Sequence, residues 1–466
     1  MKRFLYRQHG KYSIELKIRY LIHRRFKQRK NYFNIKLYLF FPYSFNINPN
    51  SYPKEHFYED QKLYLRFNSP VFSLKELIEE ENSPFVRTRA MLHRAEEDGD
   101  LGAELNLDDY AYETKLCGSS FKSALRDSYY KIRKQVKRRD HAEWASNITA
   151  TIDAMAEVAR HFHDSAALAE ALPEEMHYHT ILIDEYISLE LEKHLLWLLD
   201  LMYMYDSGSE NVKRLEETVS SEMEYRRHCG YASVSGKSES PEDYEEYAYR
   251  AKILKRYSSE VLFFNVRRNQ QGKRVEHILY AVAAGIAMFI ATAIAFMGQT
   301  WFGNLSTSLF ILLVVSYMLK DRIKDIFRDL FSRSIGSFFY DRGVKVYDPR
   351  AKRRMAYVKE RVAFTDFSKL PEEIRKIRSR GSFEKFLANT ASENILLYEK
   401  NIRLNTRTIK KLHTRIKGIA DINIISLQRL LRYLSVQRRE IPVINAGRVR
   451  KLIPTKRIYH LNLIIW

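Results

Sequence analysis

Cysteine is nearly missing from this chain: Cys117 and Cys229 are the only two in 466 residues. That excludes a disulfide framework and leads us to expect a reducing compartment. Glycine and proline are also sparse, at 16 and 11 residues, which excludes collagen-like and Pro/Gly-rich low-complexity architectures. Acidic residues are outnumbered, 57 against 78 basic, so the chain carries a net charge of +21. Acidic partners are therefore expected over basic ones. The basic start, Met1 to Arg7, has no apolar run behind it. It is not expected to act as a secretory signal, and the bulk of the chain is expected to stay where it is made.

Signatures of chemistry are missing too. No nucleophile elbow, glycine-rich dinucleotide turn or zinc knuckle appears. The run Gly230-Tyr-Ala-Ser-Val-Ser-Gly-Lys-Ser238 is one residue too long for a phosphate-binding loop and follows charged helix, not a buried strand. The acidic stretch Glu96 to Gly102, with Asp108 and Asp109, misses the ligand positions of a calcium loop. Histidines gather between His141 and His194, but only Glu174 and His177 have the Glu-x-x-His spacing of di-iron bundles. No metal site and no cofactor are expected, and a binding protein is expected over an enzyme.

Charge vanishes altogether from Ile278 to Met297, ILYAVAAGIAMFIATAIAFM. About 20 such residues suffice to cross a bilayer core as a helix. A second run, Leu305 to Leu319, follows after Gly298 to Asn304, which also lack charge. Arg267, Arg268, Lys273 and Arg274 flank the pair on one side, and Lys320, Arg322, Lys324, Arg328 and Arg333 on the other. The positive-inside rule then predicts a two-helix transmembrane hairpin over 277–319, with both outer flanks and both termini cytoplasmic. Neither run holds an ionisable residue, which argues against transport. Ala283, Ala287, Ala291 and Ala295 recur at four-residue spacing and make a small-residue face for packing, against the second run or another copy.

What remains is organised by pattern. Apolar and polar residues alternate over 12–20, 33–41 and 62–67, the period of half-buried strands. From Phe72 the period turns helical; Ser119 is a candidate cap, Pro173 opens a helix reaching Tyr205, and Pro241 opens another. Residues 320–340 begin an amphipathic juxtamembrane helix with Ile323, Ile326, Phe327 and Leu330 on one face. The end of the chain, 456–465, alternates again and is expected to pair with 12–20.

The expected fold class is thus a membrane-anchored α+β protein. Its parts are a basic β-rich segment (1–70), an acidic helical bundle (71–270), the transmembrane hairpin, the juxtamembrane helix and a basic α/β segment (341–466) built with the first. Lys and Arg minus Asp and Glu gives about +11, −12 and +19 for the first, second and last of these. Three basic runs are candidate sites for an anionic partner: Arg24, Arg25, Lys27, Arg29 and Lys30; Arg350, Lys352, Arg353 and Arg354; and Arg375, Lys376, Arg378 and Arg380. The expected partners are a lipid bilayer, anionic lipid or an acidic protein, with nucleic acid and a second copy of the chain as further candidates. The expected role is binding or scaffolding at a bacterial inner membrane. The alternatives are a membrane-tethered effector acting on nucleic acid or a nucleotide, and an oligomeric pore lined by Ser306, Thr307 and Ser308.

Overall fold

The computed structural model describes residues 4–466 apart from 22–30, 98–105, 138–140, 206–207, 234–240, 271, 304–305, 339, 380–392, 417, 433, 435–437, 446–447 and 457–459. The described residues form two compact units: one of 1–65, 264–412 and 421–466, and one of 66–263 and 413–420.

The first unit is built on antiparallel sheet. Strands β1 (Phe4–Gln8), β2 (Ser13–Leu21), β3 (Asn31–Pro42) and, after the short helix α1 (Lys54–Asp60), β4 (Gln61–Phe67) come early in the chain. Later come β5 (Asn265–Gln270), β6 (Arg342–Tyr347), β7 (Arg354–Thr365), β8 (Glu393–Leu404), β9 (Gly418–Ser426) and β12 (Asn462–Ile465). A six-stranded sheet has the order β12-β3-β8-β7-β6-β5, and a smaller one the order β1-β2-β9-β4. Between them, β10 (Arg438–Asn445) and β11 (Arg448–Lys456) form a separate two-stranded ribbon in the chain order.

Alternation explains these strands. In β4 the burial switches residue by residue, with Leu63, Leu65 and Phe67 inside, because successive side chains leave a strand on opposite faces. A buried ion pair joins the two sheets: Lys400 Nζ on β8 lies 2.6 Å from Asp421 Oδ2 on β9, which also accepts from Tyr20 on β2 at 2.8 Å. The last strand corrects an expectation. β12 pairs with β3, Leu463 opposite Leu39, and not with residues 12–20, whose neighbours are β1 and β9.

A helical excursion separates β5 from β6. It consists of α9 (Gly272–Phe302) and α10 (Thr307–Phe338), packed against each other. The expected fold class is contradicted here: among the described residues there is no two-helix transmembrane hairpin. Among the described residues one segment is long and apolar enough to cross a membrane, His277–Phe302 of α9. The reason is length. Gly303 and Ser306 lie outside both helices, so they add nothing to a span, and the apolar part of α10 stops at Leu319 before Lys320, Asp321 and Arg322. Thr307 to Leu319 rises only about 20 Å, short of the roughly 30 Å a bilayer core demands. The amphipathic stretch from Lys320 continues α10 without a break.

The second unit is helical. Helix α2 (Leu74–Glu79) opens on a capping box, in which Ser73 Oγ accepts from the Glu76 N–H and the Glu76 carboxylate accepts from the Ser73 N–H. Then follow α3 (Pro84–Glu97), α4 (Leu107–Lys137), α5 (His141–Ala169), α6 (Glu174–Tyr205), α7 (Glu210–His228) and α8 (Pro241–Ser259). Phe121, Leu125, Ile152, Met155, Phe162, Ile183, Ile187 and Leu195 lie in their shared core. Ser119 is no cap. It is buried in the middle of α4 and its hydroxyl donates to the Ser258 carbonyl at 3.0 Å.

Candidate functional site

The helical excursion is the part of the molecule whose surface contradicts its surroundings. Only 11% of the His277–Phe302 segment is buried, and its mean hydropathy is 2.3. A core helix of such composition would be covered. Phe289 and Trp301 are 75% and 73% exposed, and Phe296 and Met288 are exposed as well. On α10, Phe310, Ile311, Val314 and Met318 are exposed in turn. The alanine stripe faces the partner helix: Ala283 and Ala287 are fully buried, Ala291 and Ala295 half-buried, and Ser316 Oγ donates to the Ala291 carbonyl at 3.0 Å. Near the turn, a Cβ on Gly298 would sit 2.2 Å from Leu312 Cδ2, so glycine permits the approach. At the other end, Lys320 Nζ lies 3.7 Å from the Tyr317 ring and Arg328 lies 4.7 Å from the Tyr280 ring. Aromatic rings paired with cations mark the place where apolar surface ends.

The basic runs fare differently. Arg24, Arg25, Lys27, Arg29 and Lys30 lie outside the described residues, as does Arg380. Arg350, Lys352, Arg353 and Arg354 are exposed on the turn between β6 and β7. Asp348 builds that turn: its carboxylate accepts from the Arg350 and Ala351 N–H groups at 3.0 and 2.7 Å, and Lys352 takes φ +51°. Arg375 and Lys376 are exposed on α11 (Glu372–Arg378), where Lys376 pairs with Glu372 at 2.7 Å. Arg378 is withdrawn from any partner; it is buried over Phe40 and bound to Glu393 at 2.6 and 3.2 Å. The turn stands beside the Ala356–Leu404 end of β7 and β8, while α11 packs on Ile395, paired with Thr365 at the other end. The two runs are therefore not one site.

A polar network in the helical unit escaped the sequence reading. Asp184, Glu185, Ser188, Glu192 and Arg226 are buried, all but Arg226 on α6. His163 on α5 reaches Asp184 Oδ1 through Nδ1 at 2.6 Å and lies 3.5 Å from Glu222 through Nε2. Asp184 Oδ2 accepts from Tyr225 at 2.7 Å and Tyr231 at 2.9 Å, and His163 stacks on the Tyr225 ring. Burial pulls the His163 pKa down, but the hydrogen bonds and charges of Asp184 and Glu222 outweigh it and raise it to about 9. The ring is thus a cation at neutral pH, with both N–H groups turned to carboxylates. Arg226 lies 3.2 Å from Glu192, whose carboxyl burial pushes up and Arg226 partly restores. Arg226 also donates to the Glu185 and Ala232 carbonyls. Opposite charges meet directly, and among the described residues no three His, Cys, Asp or Glu side chains converge to hold a metal ion. The histidines between His141 and His194 were visible in sequence; Asp184 and Glu222 as their partners were not.

No protein-family model, no curated protein and no solved structure matches this chain.

Proposed function

We propose that the chain is a membrane-attached binding or scaffolding protein, held to the bilayer by α9 and presenting basic surface to an anionic partner. The observation that carries this is the exposure of the apolar His277–Phe302 segment. Contiguous apolar surface of that size marks a membrane or partner contact, since water opposes it at roughly 25 cal/mol per Å². Ile278, Val282, Phe289, Phe296 and Met297 are exposed along α9 away from its buried alanines, and the exposed residues of Thr307–Leu319 on α10 extend that apolar surface. The exposed cations of the β6–β7 turn add an affinity for acidic headgroups or an acidic protein, at about 1 kcal/mol per residue near a charged membrane.

The test is fractionation. The expressed chain should float with membranes on a density gradient and resist extraction by alkaline carbonate, with detergent releasing it. Recovery in the soluble fraction as a monodisperse protein without detergent would overturn the reading.

A further inference from the structure

Five strands of the large sheet align one row of side chains on the face that α11 covers only at its Ile395 end. Arg267 on β5 pairs with Lys345 on β6, Lys345 with Tyr357 on β7, Tyr357 with Arg403 on β8, and Arg403 with Tyr32 on β3. The residues beside them in sequence, Val344, Val346, Val358, Ile402 and Leu404, are buried, so the row points away from that core. Arg267 and Arg403 are exposed, Tyr32 is 62% exposed, and Lys345 and Tyr357 are half-exposed. At 4.7–4.9 Å per strand, the row is about 19 Å long. Lys359 adds a cation in the next row, opposite Asn401. The acids on this face of β8 are held: Glu399 by Arg361 at 2.7 Å and by Asn34 at 3.3 Å, and Glu393, at the far end, by Arg378 at 2.6 Å. Arg403 lies 5.4 Å from the Tyr32 ring, and Arg267 lies 5.3 Å from the ring of Tyr347.

We infer that this face binds single-stranded nucleic acid. A cationic track with aromatic rings set into it is what such a ligand needs: guanidinium and ammonium groups meet phosphates, and bases stack on the rings. The exposed Tyr32 ring, at the end of the row, is the stacking position. Duplex DNA or RNA hides its base faces and gains nothing from the rings. A lipid headgroup meets the cations but has no base to stack. The inference stands on the sheet and does not depend on membrane attachment.

Fluorescence anisotropy tests it, using the full chain in mild detergent and labelled oligo-dT and oligo-U of about 12 nucleotides. Both strands should bind, more tightly than a duplex of equal length, with affinity falling as salt rises. Reversing Lys345→Glu and Arg403→Glu together should weaken binding at least tenfold and reduce the salt slope by about 1.4, for two lost phosphate contacts on a single strand. Tyr32→Leu should weaken it roughly tenfold, with Tyr32→Phe near wild type. Unchanged melting of each variant keeps a folding defect apart from a lost contact. Failure to bind at low salt would overturn the inference, as would equal affinity for duplex or indifference to Tyr32→Leu. So would complete displacement of oligonucleotide by phosphatidylserine vesicles with Tyr32→Leu silent, which would assign the face to lipid.

Discussion

Helices α6 and α9 are nearly equal in length, 32 and 31 residues, and opposite in what they hide. Helix α6 buries Asp184, Glu185, Glu190, Glu192 and His194. Helix α9 leaves Phe289, Phe296 and Trp301 in the open. Burying charge is costly unless each group meets a partner, and α6 meets its partners inside the unit: His163, Arg226, Lys122 and, for Glu185, Arg250. Exposing apolar surface is costly unless something covers it, and beyond α10 nothing in the described residues covers α9. The first helix has its buried charges paired by other helices of its unit. The second leaves its apolar side open. Residue type alone does not tell inside from outside; the partners each group meets also decide it.

Four perturbations test that contrast, in descending order of effect. Asp184→Ala should be the most damaging, because it strands His163, Tyr225 and Tyr231 together. We expect a loss of about 3–5 kcal/mol in urea unfolding of the full chain. An Asp184→Ala protein as stable as the parent would refute the idea that α6 is internally satisfied.

Raising the pH should act on the same network. His163 has a folded pKa of about 9 against an ordinary 6.5, so its contribution is fully present below about pH 6.5. It is lost as pH rises through about 9. Melting temperatures from pH 7 to 10 should fall in the parent and fall less in His163→Phe, which is itself less stable at neutral pH. Parallel curves for the two proteins would exclude His163 as the titrating group.

Ala287→Leu probes the buried side of α9. The site is fully buried against α10, so the larger side chain should separate the pair at a cost of about 1–3 kcal/mol. Cysteine crosslinking between the two helices, reduced in the variant, is the readout. The smallest effect on folding, within about 0.5 kcal/mol, is expected from Phe289→Glu with Phe296→Glu, since both sites are exposed. The same double variant should nevertheless shift the protein out of the membrane fraction, as each central charge opposes lipid insertion by about 3 kcal/mol. Large destabilisation with unchanged fractionation would invert our assignment of faces.

Local pattern made part of this legible. The alternation over 12–20 becomes β2, that over 62–67 becomes β4, and Pro173 does precede α6. These features depend on neighbours in the chain. Where the outcome depends on distant residues, the pattern falls short. Alternation over 456–465 points to a strand, which forms at Asn462–Ile465, but not to β3 as its partner. Ser119 has cap chemistry, yet α4 already starts at Leu107, and the hydroxyl finds the Ser258 carbonyl instead. His163, Asp184 and Glu222 sit on three helices, and Arg267 and Tyr32 reach one row from opposite parts of the chain. The expected hairpin fails for a different reason: the apolar run from Leu305 to Leu319 is longer in residues than the helical part of it that precedes Lys320.

β5 and β6 are adjacent antiparallel strands, with Gln270 opposite Arg342, so the chain leaves the sheet and returns to the neighbouring position. Topologically the whole excursion is an overgrown β-turn. It behaves as a cassette: a short Asn-Gly connection between Gln270 and Arg342 keeps the strand register while removing the apolar surface. Such a shortened chain would keep the sheet without the exposed apolar helices, and it separates in one step whatever the helical pair does from whatever the sheet does.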